Sequence, residues 1–278
     1  MDSRPPLYDD DAAASLRKRE VERPGDDEKF ALLIEALRAC RPCRRVVDIG
    51  CGWGQLLGKV AAAGLGVEEL WGVDESADRA RGVAEACPRA KVVICRADRL
   101  DLPDGHFDAA VASQVLHEVK LFGSAGELRA VLGEVHRVLA PGGRLVVLDH
   151  QDAGEGEVVV SLPPAERRAL ARFEDKFHFY NVLHGETPEG DVRISRRGLQ
   201  DFLTKAWSLG GGMEAIEMNE THNVFRRGEL TQLLDSVGFT MLSWRGFADI
   251  TADLARRRGR LRKGSPWHRK FLLVAERP

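Results

Sequence analysis

Apolar positions along this chain recur at two spacings, helical and strand-like, and the two alternate. Phe30, Leu33, Ile34 and Leu37 fall at helical intervals, which predicts an amphipathic helix over 27–40 leading into a first strand. The β-branched run Val46-Val47-Asp48-Ile49 is that strand, and it stops at Gly50. A helix-like segment follows from Gln55 to Ala63 and ends at Gly64. Glu69 to Val73 reads as a second strand. Ser76 is a good N-cap for a helix reaching about Ala86, where Pro88 stops it. Lys91 to Cys95 and Phe107 to Ala112 read as strands three and four. Leu128, Val131, Leu132, Val135 and Leu139 mark the next helix, closed by Pro141-Gly142-Gly143, and Arg144 to Leu148 is a fifth strand. Strands alternating with helices predict a parallel sheet with right-handed crossovers.

From 151 to 224 the alternation breaks. Two helical patterns stand there, one after Pro163-Pro164 with Leu170, Phe173 and Phe177, one after Ser195 with Leu199, Phe202 and Leu203. The run Gly210-Gly211-Gly212 interrupts. The pattern resumes with a helix carrying Leu230, Leu233, Leu234 and Val237, capped by Gly238. Phe239 to Phe247 and Phe271 to Ala275 read as the last two strands. The expected division is a polar arm over 1–27, a core made of 28–150 and 225–278, and a helical cap over 151–224 that covers a substrate pocket.

Composition changes this picture little. The chain has 278 residues, 44% hydrophobic and 30% charged, and a formal net charge of −2, which gives no global pull toward nucleic acid or anionic membrane. No apolar run approaches the ~18 residues of a membrane span. Met1 to Asp11 is acidic with two prolines, unlike a secretory signal. Five cysteines, Cys40, Cys43, Cys51, Cys87 and Cys95, lack a framework spacing and fit reduced thiols, so the expected location is the cytoplasm. Cys40-Arg41-Pro42-Cys43 has no second pair for zinc and precedes a strand rather than following one. It reads as two small residues at a helix end.

The candidate chemistry begins at Val46-Val47-Asp48-Ile49-Gly50-Cys51-Gly52-Trp53-Gly54: strand, tight glycine turn, helix, the nucleotide-binding corner of a doubly wound α/β sheet. A dinucleotide corner prefers G-x-G-x-x-G, because pyrophosphate sits on the helix N-terminus. Here the pattern is D-x-G-x-G-x-G with no Lys or Arg in the turn, which speaks against a nicotinamide-dependent oxidoreductase. Four more stretches stand in the right order: Gly72-Val73-Asp74-Glu75-Ser76; Arg96-Ala97-Asp98-Arg99-Leu100-Asp101-Leu102-Pro103; Phe107 through His117; and Leu139-Ala140-Pro141-Gly142-Gly143-Arg144-Leu145. Over 28–150 and 225–278 the chain resembles the class I S-adenosylmethionine (SAM) methyltransferases of the small-molecule group that contains the ubiquinone and menaquinone enzymes.

The resemblance implies a Rossmann-like, doubly wound seven-stranded α/β sheet, with helices on both faces and the last strand antiparallel between the fifth and sixth. It implies SAM as cofactor, held by Asp48, Gly50, Gly52, Trp53 and Gly54 of the corner. Asp74, with Glu75 beside it, takes the ribose hydroxyls. Asp98 takes the adenine amino group with Arg99 nearby, and Ser113 and Gln114 border the methionine moiety. Trp53 either shields the cofactor or covers the first helix.

Methyl transfer needs alignment, exclusion of water and, for a hydroxyl or ammonium acceptor, a base. His117, past strand four, and His150, at the end of strand five, are the catalytic candidates. Some relatives bind a divalent metal through Glu-x-x-Glu-His at this place. Gln114-Val115-Leu116-His117-Glu118 has an amide first and the last two positions exchanged, which argues against a metal. Tyr180, His184, Trp207 and His222 of the insertion are candidates for contacting a small-molecule acceptor. The basic run Arg256 to Lys263 offers a rival acceptor class, RNA or protein, although the near-neutral net charge argues against a long nucleic-acid footprint. A non-catalytic SAM-binding protein is the third reading.

Overall fold

The computed structural model describes residues 27–40 and 42–278, so the arm expected over 1–27 falls almost entirely outside the described residues. The described residues form two compact units. One comprises the residues through Gln151 with Val224–Phe247 and Lys270–Pro278; the other comprises Asp152–Asn223 and Ala248–Arg269.

The first unit is built on a seven-stranded sheet. Its strands in chain order are β1 (Arg45–Ile49), β2 (Glu69–Asp74), β3 (Lys91–Ile94), β4 (Phe107–Ser113) and β5 (Leu139–His150), then β9 (Thr240–Asp249) and β11 (His268–Glu276). Their order across the sheet is β3-β2-β1-β4-β5-β11-β9. β1 to β5 run parallel, while β11 is antiparallel to β5, pairing Phe271 with Asp149 and Ala275 with Leu145. This is the order the resemblance implies. Parallel strands are covered on both faces, so β4 and the second half of β5 are apolar and buried almost throughout. The helix Glu127–Val138 lays Val131, Leu132, Val135 and Val138 into the same core. Ser76 caps the helix Ala77–Ala86 as expected, accepting from the Arg79 amide. The helix Leu116–Phe122, which the apolar spacing did not reveal, begins two residues after the left-handed Gln114 (φ 55°).

The second unit corrects the expectation of a helical cap. The two expected helices are present, Pro164–Lys176 and Arg196–Lys205, the latter capped by Ser195 accepting from the Gly198 amide at 3.0 Å. They pack with a four-stranded antiparallel sheet, order β10-β6-β8-β7, made of β6 (Glu157–Ser161), β7 (His184–Glu186), β8 (Val192–Ser195) and β10 (Arg260–Lys263). Val158, Val160, Val192 and Ile194 face a core with Phe173, Phe202 and Leu199. The basic run Arg256 to Lys263 belongs to this second unit. It is the end of the helix Ile250–Arg256, a turn with left-handed Arg258 (φ 57°), and the edge strand β10. Ile250, Leu254 and Trp267 pack into the second core, which moves 248–269 out of the unit expected to span 225–278.

Among the described residues, no helix is long and apolar enough to cross a membrane.

Candidate functional site

β1 delivers the glycine corner. Gly50 and Cys51 donate their amides to the Val73 carbonyl at 2.8 and 2.9 Å, locking the turn to the end of β2. Gly50 has φ 70°, and a Cβ there would lie 2.6 Å from Val115 Cγ2, so both backbone angle and space demand glycine. Gly52 also has positive φ, but nothing lies within 4 Å of where its Cβ would be: the turn presents open backbone.

Asp74 ties the corner together. Its Oδ2 accepts from the Gly52 amide and its Oδ1 from the Ser76 amide, both at 2.9 Å. Each oxygen keeps a lone pair for a second donor. Asp48 is buried behind it. Burial, then the Asp74 charge, push the Asp48 carboxyl up to about 8 against the pull of Lys29. Asp48 is thus an acid that holds its proton, and Cys51, raised by burial and both carboxylates, stays a thiol. Trp53 settles against the helix after β2. A Cβ on Gly82 would lie 2.5 Å from its ring, so the indole packs on that helix.

Two polar atoms mark the surroundings of the corner. Ser113 Oγ, at the end of β4, and Gln55 Nε2, on the first residue after the corner, are buried and have no hydrogen-bond partner. A buried donor left in that state is costly, and such groups suit a polar ligand. The expected set did not include Gln55; its position as the first polar residue after D-x-G-x-G-x-G was the available signal.

Asp98, expected at the adenine amino group, is held by Arg96. Arg96 grips it with two bonds, 2.9 and 3.1 Å, and also reaches Glu127 at 2.7 Å and Glu75 at 3.8 Å. Arg99 is exposed. Each oxygen of Asp98 can still accept a further bond on its other lone pair.

On the acceptor side, sheet register sets the geometry. Ser113 pairs with Leu148, so Gln114 and the pair Asp149-His150 emerge together at the strand ends. Gln114 donates its amide to the Leu148 carbonyl at 2.7 Å. Asp149 is fully buried (0% exposed) and meets three donors. Its Oδ1 lies 2.8 Å from His117 Nδ1 and accepts from the His150 amide at 2.8 Å, while its Oδ2 accepts from the His117 amide at 3.1 Å. The two imidazole rings meet edge to face, 4.8 Å apart, and Gln114 Nε2 lies 3.4 Å from His150 Nε2. Both candidate catalytic histidines are therefore brought together, with Asp149 as their common anchor.

The four acceptor-contact candidates sit in the second unit, inside its own polar network. Tyr180 donates to Asp201 Oδ2 at 2.6 Å, as do Thr221 at 2.7 Å and Asn223 at 2.9 Å; Asp201 Oδ1 takes the His222 amide at 2.7 Å. Burial and Asp201 raise the Tyr180 phenol, so it remains a donor. His184 lies 2.7 Å from Glu174. Trp207 stands in a short 3-10 turn, Ala206–Ser208. His222, Glu217 and Glu220 offer donor atoms within 4.8 Å of one another, as do His117, Asp149 and His150 in the first unit. At the second-unit cluster a cation is already supplied: Lys205, 0% exposed, donates to Glu217 at 2.9 Å and Glu220 at 2.8 Å.

Residues 47–147 match the family described as "Methyltransferase domain". An uncharacterized methyltransferase of Synechocystis is 32% identical over 126 residues, covering 45% of this chain and 56% of that protein. A 2-phytyl-1,4-naphtoquinone methyltransferase of Synechococcus elongatus is 37% identical over 122 residues, covering 40% and 48%. The chain thus spans about half the length of these curated relatives. Among solved structures, the 1,6-didemethyltoxoflavin-N1-methyltransferase of Burkholderia thailandensis, with 1,6-didemethyltoxoflavin and S-adenosylhomocysteine bound, aligns over 95% of this chain and 83% of its own. The TM-score is 0.52 at 15% identity, a likeness of fold. Residues 47–147 thus match a methyltransferase domain, and the sheet built on them is the fold shared by the solved S-adenosylmethionine-dependent methyltransferases it resembles.

Proposed function

We propose that this protein transfers the methyl group of SAM to an O, N or C atom of a small molecule. The observation that carries the reading is Asp74 bridging the glycine corner and the end of β2, with Ser113 Oγ and Gln55 Nε2 buried and unpartnered nearby. When bound, SAM supplies a methyl group already activated on a positive sulfonium. The protein's own part is alignment and exclusion of water.

In this reading Asp74 accepts the ribose hydroxyls on its remaining lone pairs, and the open turn at Gly52 admits the cofactor's backbone side. Asp98, steadied by Arg96, takes the adenine amino group. Ser113, Gln114 and Gln55 serve the methionine end. His117 and His150 handle the acceptor. A small-molecule acceptor is favoured by the quinone- and toxoflavin-directed names of two similar proteins.

It is favoured also by the state of the basic run. Arg257 is paired with Glu166, Arg262 with Asp191, and Arg256 and Arg269 share Asp253, which neutralises much of what an RNA or protein acceptor would use. The five cysteines, none of them in a disulfide, fit a reducing compartment such as the cytoplasm.

Calorimetric titration with SAM tests the reading. Asp74→Ala removes two charge-assisted acceptors and is expected to weaken binding by about 100-fold with the fold intact. Unchanged affinity would remove Asp74 from the site.

A further inference from the structure

We infer that Asp149 is a positioning residue that fixes His117 as the base for an acceptor attacking through an O–H or N–H group. This rests on the methyl-transfer reading above and narrows it to heteroatom acceptors.

Asp149 is buried on β5, yet it meets His117 twice, through the backbone amide and through Nδ1. The amide bond alone would tether the start of the helix Leu116–Phe122. The second contact does something else. A carboxylate can only accept, so a neutral His117 must carry its proton on Nδ1 and its lone pair on Nε2. A base whose tautomer is set by a third group is the arrangement that activates hydroxyl nucleophiles elsewhere.

The same carboxylate stabilises the imidazolium formed when the base takes a proton. His150 contributes its amide to Asp149 Oδ1 and its ring edge to His117, and Gln114 faces the other side of His150. The charged and titratable groups facing His117 from β5 are thus Asp149 and His150. On its own helix, Glu118 is adjacent.

The balance is simple. The acceptor's O–H or N–H bond breaks heterolytically, and its proton goes to His117 Nε2. The freed pair forms the bond to the methyl carbon, and the pair of the breaking carbon–sulfur bond stays with sulfur. A carbon nucleophile already activated by conjugation would not need this device.

A metal held by His117, Asp149 and His150 is the competing arrangement. The contacts favour the hydrogen-bonded one. Both Asp149 oxygens are taken by donors, two of them backbone amides, and an amide nitrogen of Gln114 approaches His150 Nε2.

The test compares the wild-type chain with Asp149→Asn and His117→Gln. Long-range proton–nitrogen spectra of histidine-labelled protein, saturated with S-adenosylhomocysteine, read the His117 tautomer directly. The Nδ1–H form is expected in the wild type, and Asp149→Asn should abolish that preference while keeping the backbone tether. Methyl-labelled SAM with the small-molecule fraction of a host extract reads transfer.

Incorporation should fall at least about 100-fold in both variants with SAM affinity unchanged. In Asp149→Asn the acid limb of incorporation should move to lower pH by about one unit, because the imidazolium has lost its carboxylate. The labelled methyl should be found on oxygen or nitrogen. An Nε2–H tautomer in the wild type would overturn the inference. So would full activity of His117→Gln, a C-methyl product, or activity lost to a chelator and restored by a divalent cation. Loss of SAM binding by the wild type would instead sink the underlying reading.

Discussion

At the scale of single residues, the most exposed wager is on a proton. Asp48 lies in the first strand with its carboxyl raised from 3.8 to about 8 by burial and by Asp74. Between those values the folded chain keeps a proton that the unfolded chain has released. Stability therefore falls as pH rises through that window. Asp48→Asn removes the dependence. Melting temperatures of the two proteins should agree near pH 4 and separate toward pH 8, with the variant higher; parallel curves would show that Asp48 is ionised in the fold. The cofactor residues were legible at this scale because their spacing is local. Glycines two apart and an acid at a strand end announce themselves. The partners were not legible. His117 and Asp149 stand 32 residues apart, and only the parallel pairing of β4 with β5 brings them together. Nor was the bidentate grip of Arg96 on Asp98 legible, since spacing alone does not announce it.

At the scale of elements, the second unit shows where pattern reading ran out. Ser195 and the apolar stripe behind it predicted the helix Arg196–Lys205, and that helix is there. The strands beside it are three to five residues long, too short for alternation to rise above its surroundings. Val158-Val159-Val160 was a β-branched run and a usable signal. Arg260-Leu261-Arg262-Lys263 was hidden by its charge, although charge is what protects an edge strand from pairing with other molecules. The polar network that joins these elements could not be foreseen, since Lys205 ends one helix and its partners Glu217 and Glu220 lie beyond the glycine run. Burial pulls on the Lys205 ammonium, but the two carboxylates win and raise it. Lys205→Met takes the lysine's charge away from both carboxylates and should cost about 3–5 kcal/mol in urea unfolding. Adding Glu217→Gln and Glu220→Gln should return much of that loss. If the triple variant is no better than the single one, the lysine acts by packing alone.

At the scale of the whole molecule, the order β5-β11-β9 carries a consequence for how the chain is made. The last of its strands in chain order, β11, fills a slot between β5 and β9, both of which precede it. Until β11 has been made, β5 lacks its antiparallel neighbour and β9 has no strand to join in the sheet. The second unit waits too, because β10 must arrive before β6 is paired on both sides. Neither sheet can close before these late strands are made, and until then the chain carries open edges that invite chaperones. Removing residues 268–278 should make that condition permanent. The shortened protein is expected in the insoluble fraction of the expressing cell, and recovery of a soluble, SAM-binding product would show that the outer strand can dock without its wedge.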